Sequence, residues 1–167
     1  YFIDQGPDLA KVWETEFVAI EAGAAAAAGL TCVDHVGQTM LHDEMLSWLL
    51  FYTSLLQAEK APAQDVLDPG GLVKSQVVQS DDGRLRLVLN GSQSARTQTS
   101  RFLSEVFGSG VQHIALATDD LLATVRRLEA NGVKLLSVPA NYYDDLDARS
   151  DLSRDLIETL KTHNVFY

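Results

Sequence analysis

The sequence has very little cysteine, no long apolar run and few positive charges. Its single cysteine, Cys32, excludes an internal disulfide, which fits a reducing cytoplasm. No apolar run approaches the ~18 residues of a membrane-spanning helix, and no signal peptide is visible. The net charge is -10 at pH 7, and a surface this acidic repels phosphate. We therefore expect a cytoplasmic protein that binds neither nucleic acid nor membranes.

The length suits one medium domain or two small modules that share a core, since the chain has 167 residues. It begins at Tyr1 rather than Met, and we expect it to be part of a longer protein with an upstream domain. Residues 1–29 are interpreted as the end of a preceding module, with a strand at 1–4 and an apolar-anchored segment at 13–17. The alanine-rich stretch 23–29 that follows is too short for a stable isolated helix and is interpreted as a linker.

From residue 30 onward the hydrophobic pattern becomes regular and predicts two units in which strands and helices alternate. The first unit has predicted strands at 31–38, 72–79 and 84–89, and predicted helices at 43–56 and 100–107. The second has a strand at 111–118, a helix capped by Asp119 or Asp120, a strand at 133–138, a helix at 153–163 and the start of a strand at 165–167. This order predicts an α+β fold with a weak internal repeat.

Two histidines, His35 and His113, occupy equivalent positions in the opening strands of the two units. If the units pack about a pseudo-twofold axis, these strands face each other across a shared cleft. The two imidazoles would then offer neutral nitrogen donors to iron, zinc or nickel. Two histidines and one carboxylate form the facial triad of non-haem Fe(II) oxygenases. The alternative is that each histidine is a hydrogen-bonded core residue.

The remaining candidate ligands are not assigned to a metal site. His42 is predicted at a helix start and His163 near a helix end, where a partial positive charge suits the helix dipole. Glu105 and Glu158 lie in predicted helices. A cluster of three aspartates is predicted to form a solvated acidic loop; its members are Asp144, Asp145 and Asp147.

Three segments resemble the motifs of 4-hydroxyphenylpyruvate dioxygenases, which belong to the vicinal oxygen chelate superfamily. Residues 108–120 (GSGVQHIALATDD) resemble the second-histidine motif, and residues 33–36 (VDHV) resemble the first. Residues 141–149 (NYYDDLDAR) resemble the family's YYD-x-L-x-x-R segment. The resemblance runs over 30–167. It implies paired βαβββ modules of the glyoxalase-like fold, at residues 30–107 and, incompletely, at 108–167.

The resemblance also implies a metal and a substrate class. It makes His35 and His113 ligands of Fe(II), with other divalent metals open, in the O2-dependent oxidation of an aromatic 2-keto acid. The family's third ligand, a glutamate, and its C-terminal helix are expected beyond Tyr167. Four neutral polar residues match substrate-pocket positions and could orient a carbonyl or carboxylate, although each is also ordinary on a strand face. These four are Ser75, Asn90, Gln98 and Gln112.

Residues 40–55 and 89–105 look closer to bacterial fusion proteins, in which a sugar-phosphate-isomerase-like barrel precedes a dioxygenase-like half. Some of these resemble 3-dehydroshikimate dehydratases of quinate and shikimate breakdown, in which the barrel performs the dehydration. Three hypotheses follow: a dioxygenase, a metal-binding accessory or sensing module of a dehydratase, and a metal-free binding module. A homo-oligomer stays open, because this superfamily pairs units within or between chains.

Overall fold

A computed structural model describes residues 6, 8–18 and 27–167 of the chain. Its strands are β1 (Leu30–Thr39), β2 (Glu59–Lys60), β3 (Gln64–Asp68), β4 (Gly71–Gln79), β5 (Arg86–Gly91) and β6 (Gly110–Thr118). Its helices are α1 (Leu9–Glu16), α2 (Met45–Leu55), α3 (Gln98–Glu105), α4 (Leu121–Ala130), α5 (Ala140–Arg149) and α6 (Arg154–Thr162). None of these helices is long and apolar enough to cross a bilayer. The mixture of strands and helices confirms the predicted α+β class.

The described chain forms two compact units. One is Gly29–Thr124, and the other is Val125–Tyr167 together with the described part of Tyr1–Ala28. The predicted strand at 1–4 and residues 23–26 of the predicted linker lie outside the described residues. The predicted division at residues 29 and 107 stays a prediction.

The unit Gly29–Thr124 is built on a sheet with the strand order β2-β4-β5-β1-β6, and β3 also pairs with β4. β1 runs parallel to β5 and antiparallel to β6. β2 and β3 pair with successive parts of β4 and together act as one interrupted strand, so the segment from β1 through α2 to β5 is a βαβββ module, as the resemblance implies. β3 was not predicted from the sequence, because four of its five residues are exposed and the strand shows no alternation of apolar and polar residues.

One face of this sheet is covered by α2. Val78 and Leu89 are fully buried in the core between sheet and helix, where Trp48, Leu49 and Tyr52 of α2 pack against them. Burying a side chain such as Leu89 contributes roughly 1.5–3 kcal/mol. Because side chains alternate along a strand, the residues next to these core positions project from the opposite face of the sheet.

The second unit contains a correction to the predicted acidic loop. Asp144, Asp145 and Asp147 are exposed as expected, but they lie on the helix α5 rather than in a loop. The reason is that Tyr143 and Leu146, three residues apart on one helix face, are both buried. The predicted helix at 153–163 is confirmed as α6, with Ser153 as its N-cap.

The strands predicted at 133–138 and 165–167 are wrong, because both segments are irregular. The side chain of Asn164 replaces ladder hydrogen bonds in the first segment. Its amide oxygen accepts from the backbone N–H of Val138 at 2.7 Å, and its amide nitrogen donates to the carbonyl of Leu136 at 2.6 Å. Apolar composition alone did not reveal that a side chain would satisfy this backbone.

Tyr143→Phe should destabilise the protein at neutral pH by about 0.5–1.5 kcal/mol, because the buried hydroxyl donates to the carbonyls of Leu160 and Val165. Burial raises the pKa of Tyr143 above its ordinary value of 10.0. The stabilisation is therefore complete below the unfolded pKa and is lost as pH rises through the folded pKa. Urea denaturation should show a difference between wild type and variant that is constant up to about pH 9 and shrinks as the pH rises above about 10. A constant difference would contradict this account.

Candidate metal centre

His35 and His113 lie side by side on β1 and β6. The two Nε2 atoms are 3.3 Å apart, and the ring planes are nearly perpendicular at 87°. The sequence predicted that the two histidines would face each other across a cleft between two units. In the structure both rings instead lie within one unit, on adjacent antiparallel strands of one sheet.

Irregularities in the β1–β6 ladder place the neighbours of both histidines. Val33 and His35 pair with consecutive residues of β6, so Asp34 between them has no partner. Conversely, His113 and Val111 pair with consecutive residues of β1, so Gln112 has no partner. Each of these two residues is thus the extra residue of a β-bulge, which interrupts the alternation of faces and re-aims a side chain. Asp34 can therefore contact His35, and Gln112 can share the face of His113, although each pair is adjacent in sequence.

Asp34 and Arg86 support the ring of His35. The Nδ1 atom of His35 lies 2.7 Å from one carboxylate oxygen of Asp34, and Arg86 donates to the other oxygen at 2.9 Å. The hydrogen bond with His35, followed by the attraction of Arg86, lowers the pKa of Asp34. With Nδ1 engaged by a carboxylate, Nε2 is the ring nitrogen left for a metal, an arrangement common around metal-bound histidines.

Gly37 makes room for the ring of His113. The two residues are paired across the ladder, and a Cβ added to Gly37 would overlap the imidazole of His113. Although His113 is exposed as a residue, the burial of its ring lowers its pKa, and the neighbouring His35 lowers it further. The neutral imidazole, which is the metal-binding form, is thereby favoured.

Asp34, Arg86 and Gly37 also belong to this site, although the sequence pattern did not predict them. The signals present were the position of Asp34 beside a proposed ligand, and the alternation that turns Arg86 away from the core residue Leu87. The lack of a side chain at Gly37, two residues from His35, was a further signal. None of these signals indicated a bulge.

The spacing of the two Nε2 atoms fits coordination of one metal ion. Metal–nitrogen bonds of about 2.1 Å place two imidazole nitrogens about 3.0 Å apart at a right angle and about 3.4 Å apart at the tetrahedral angle. The observed 3.3 Å lies between these values. Within residues 6, 8–18 and 27–167, no group of three His, Cys, Asp or Glu side chains could hold a metal ion. The described part of the chain thus offers two ligands.

Three of the four predicted substrate-binding residues, Asn90, Gln98 and Gln112, line a single cavity of about 330 Å³. Its wall also includes Asp68, whose carboxylate accepts from the backbone N–H groups of Gly70 and Gln98. These hydrogen bonds hold the carboxylate of Asp68, while the three amide side chains add neutral donors and acceptors to the wall.

Ser75, the fourth predicted residue, does not line this cavity. It pairs with Asn90 across the β4–β5 ladder, but it lines a separate cavity of about 440 Å³ with Met45 and Leu49 of α2. The structure therefore brings together three of the four polar residues that the resemblance implies.

The βαβββ module and the adjacent strand β6 define a class of α+β domains in which two histidines meet on the face of a sheet. Residues 33–148 match the model of the Glyoxalase/Bleomycin resistance protein/Dioxygenase superfamily. The chain belongs to this superfamily.

Three proteins within reach of this comparison are similar to the chain over most or all of its length. The chain is 39% identical to 3-dehydroshikimate dehydratase of Pseudomonas putida (strain KT2440), over 100% of the chain and 26% of that protein. It is 32% identical to 4-hydroxyphenylpyruvate dioxygenase of Pseudomonas aeruginosa (strain PAO1), over 99% of the chain and 46% of that protein. A solved xylose isomerase-like TIM barrel/4-hydroxyphenylpyruvate dioxygenase fusion protein matches with a TM-score of 0.61 and 40% identity, over 83% of this chain and 21% of that one. The chain thus spans less than half the length of each.

Gly37→Ala should weaken Zn²⁺ binding at least about tenfold, because the new methyl group takes the space of the His113 ring and breaks the two-histidine arrangement. Isothermal titration calorimetry with Zn²⁺ measures the effect. Gly110→Ala is the matched control on β6, since a Cβ there would meet only the ring of Phe102 at 3.9 Å. Equal Zn²⁺ affinity in wild type and Gly37→Ala would show that the ring position does not matter.

Proposed function

We propose that this domain holds a divalent metal, most readily Fe(II), through the Nε2 atoms of His35 and His113. The 3.3 Å separation of these atoms carries the proposal, because it suits two ligands of one ion. The carboxylate beside His35 and the open space that Gly37 leaves for His113 support it. The remaining coordination positions would be filled by water, substrate and a ligand from outside the described residues.

The first candidate reaction is the O2-dependent oxidation of an aromatic 2-keto acid. A bound iron would supply a common coordination site for the keto acid and O2. The amides of Asn90, Gln98 and Gln112 would orient the polar groups of the acid by hydrogen bonding. The superfamily match and the dioxygenase of P. aeruginosa support this candidate.

The second candidate is a metal-binding module of a two-domain 3-dehydroshikimate dehydratase. The 39% identity to the dehydratase of P. putida favours it, as does the 40% identity to the barrel fusion protein. In this arrangement the barrel performs the dehydration, and the module described here binds metal without acting as an oxygenase.

Metal content tests the part shared by both candidates. Protein purified and loaded with Fe(II) or Zn²⁺ should retain close to one equivalent per chain, measured by elemental analysis. His35→Ala and His113→Ala should each lower this content severalfold, because one of the two ligands that the described residues supply is lost. His163→Ala, which changes a histidine at the end of α6, is the control and should retain metal. Equal metal content in all four proteins would show that His35 and His113 do not hold the metal, and no metal in wild type would favour the metal-free module.

Assays of the full-length protein separate the two candidates. The dioxygenase predicts O2 uptake and CO2 release from 4-hydroxyphenylpyruvate, both lost in His35→Ala and His113→Ala. The dehydratase module predicts conversion of 3-dehydroshikimate that stays within about twofold of wild type in the same variants, because the metal lies away from the barrel chemistry. No turnover of 4-hydroxyphenylpyruvate by iron-loaded protein would reject the first candidate.

A further inference from the structure

We infer that Asp34 and Arg86 give the metal-free site two unlike histidine tautomers, with His35 protonated on Nδ1 and His113 protonated on Nε2. Metal binding then requires the proton of His113 to move from Nε2 to Nδ1. The second statement rests on the proposed metal site, whereas the first concerns the protein without metal. Asp34 and Arg86 are positioning residues in this account.

The tautomer of His35 follows from its contact with Asp34. The carboxylate oxygen 2.7 Å from Nδ1 can only accept a hydrogen bond, so Nδ1 must carry the proton. Arg86 donates to the second oxygen at 2.9 Å, which holds the carboxylate in its charged form and fixes its direction. In neutral His35, Nε2 is therefore a lone pair directed away from Asp34.

The tautomer of His113 follows from that lone pair. Its Nε2 atom lies 3.3 Å from Nε2 of His35, and two lone pairs facing each other at this distance would repel. The attractive arrangement places a proton on Nε2 of His113, which donates to His35. Among the described residues no protein group holds Nδ1 of His113, and the residue is exposed, so water can hydrogen-bond to that nitrogen.

Coordination changes only one of the two rings. A metal needs a lone pair on each Nε2, and His35 already presents one. In His113 the N–H bond at Nε2 breaks and one forms at Nδ1, with solvent water carrying the proton and no change in ring charge. His35 is thus a preorganised ligand, whereas His113 must rearrange before it binds.

Nitrogen-15 NMR of the histidine rings distinguishes the two tautomers. In metal-free protein at a pH where both rings are neutral, we expect protonated Nδ1 in His35 and protonated Nε2 in His113. Saturation with Zn²⁺ should leave the proton of His35 in place and shift that of His113 to Nδ1. The same spectra, recorded during the Zn²⁺ titration, give the affinity.

Three variants test the role of the positioning residues. In Asp34→Asn, His35 and Arg86 compete for one amide oxygen, so His35 should become a mixture of tautomers and Zn²⁺ affinity should fall on the order of 10–100-fold. Arg86→Gln leaves the carboxylate in place and should produce a smaller change in the same direction. Asp82→Asn removes an equal charge at an exposed turn and should match wild type in both measurements. Far-UV circular dichroism checks that each variant is folded.

Two results would overturn the inference for the metal-free protein. One is protonated Nε2 in His35 of wild type, and the other is a folded Asp34→Asn protein whose His35 tautomer is unchanged. If the metal-free tautomers are as expected but Zn²⁺ leaves His113 unaltered, the required proton shift is overturned. Elemental analysis of the same sample then shows whether the proposed metal site has failed as well.

Discussion

The site depends on the antiparallel pairing of β1 with β6 and on two of the three irregularities in that pairing, those at Asp34 and Gln112. In a regular ladder Asp34 would lie on the opposite face of β1 from His35, and Gln112 on the opposite face of β6 from His113. The extra residue at each place interrupts this alternation next to a histidine. The same backbone feature therefore brings a carboxylate to His35 and places Gln112 in the wall of the cavity that Asn90 and Gln98 also line.

The surroundings of the two histidines differ although their positions in the ladder are similar. His35 is held by a chain of charged groups, from Arg86 through Asp34 to Nδ1. The ring of His113 is instead positioned by steric fit, because it occupies the space above Gly37. The core between the sheet and α2 supports both strands from the other face, so that the side of the sheet with the two histidines need not provide the stability of the unit.

Local pattern predicted much of this architecture. The strands that carry His35 and His113 and the helix that begins after Ser153 could be found because apolar periodicity and capping residues are local signals. The exposed strand β3 could not be found this way, and neither could the irregular segment that Asn164 holds. β3 is mostly exposed and so shows no apolar pattern, and the irregular segment depends on Asn164, which is distant in the sequence.

For the site, the sequence predicted the two histidines, and the family resemblance added four polar residues. Gln98 and Asn90 were selected by resemblance, and only the fold brings them to one cavity. Arg86 is 52 residues away from Asp34, and the bulge that allows their contact has no signature in composition or period. The separation of Ser75 from the other three polar residues likewise follows from the geometry of the sheet rather than from its sequence.

Anomalous diffraction from crystals soaked with Zn²⁺ or Fe(II) tests the central claim most directly, because it locates the ion relative to individual atoms. The account predicts a single strong peak about 2.0–2.2 Å from Nε2 of both His35 and His113, with the carboxylate of Asp34 still on Nδ1 of His35. A metal bound elsewhere on the domain, or two imidazoles that keep their mutual hydrogen bond while metal is in excess, would contradict it.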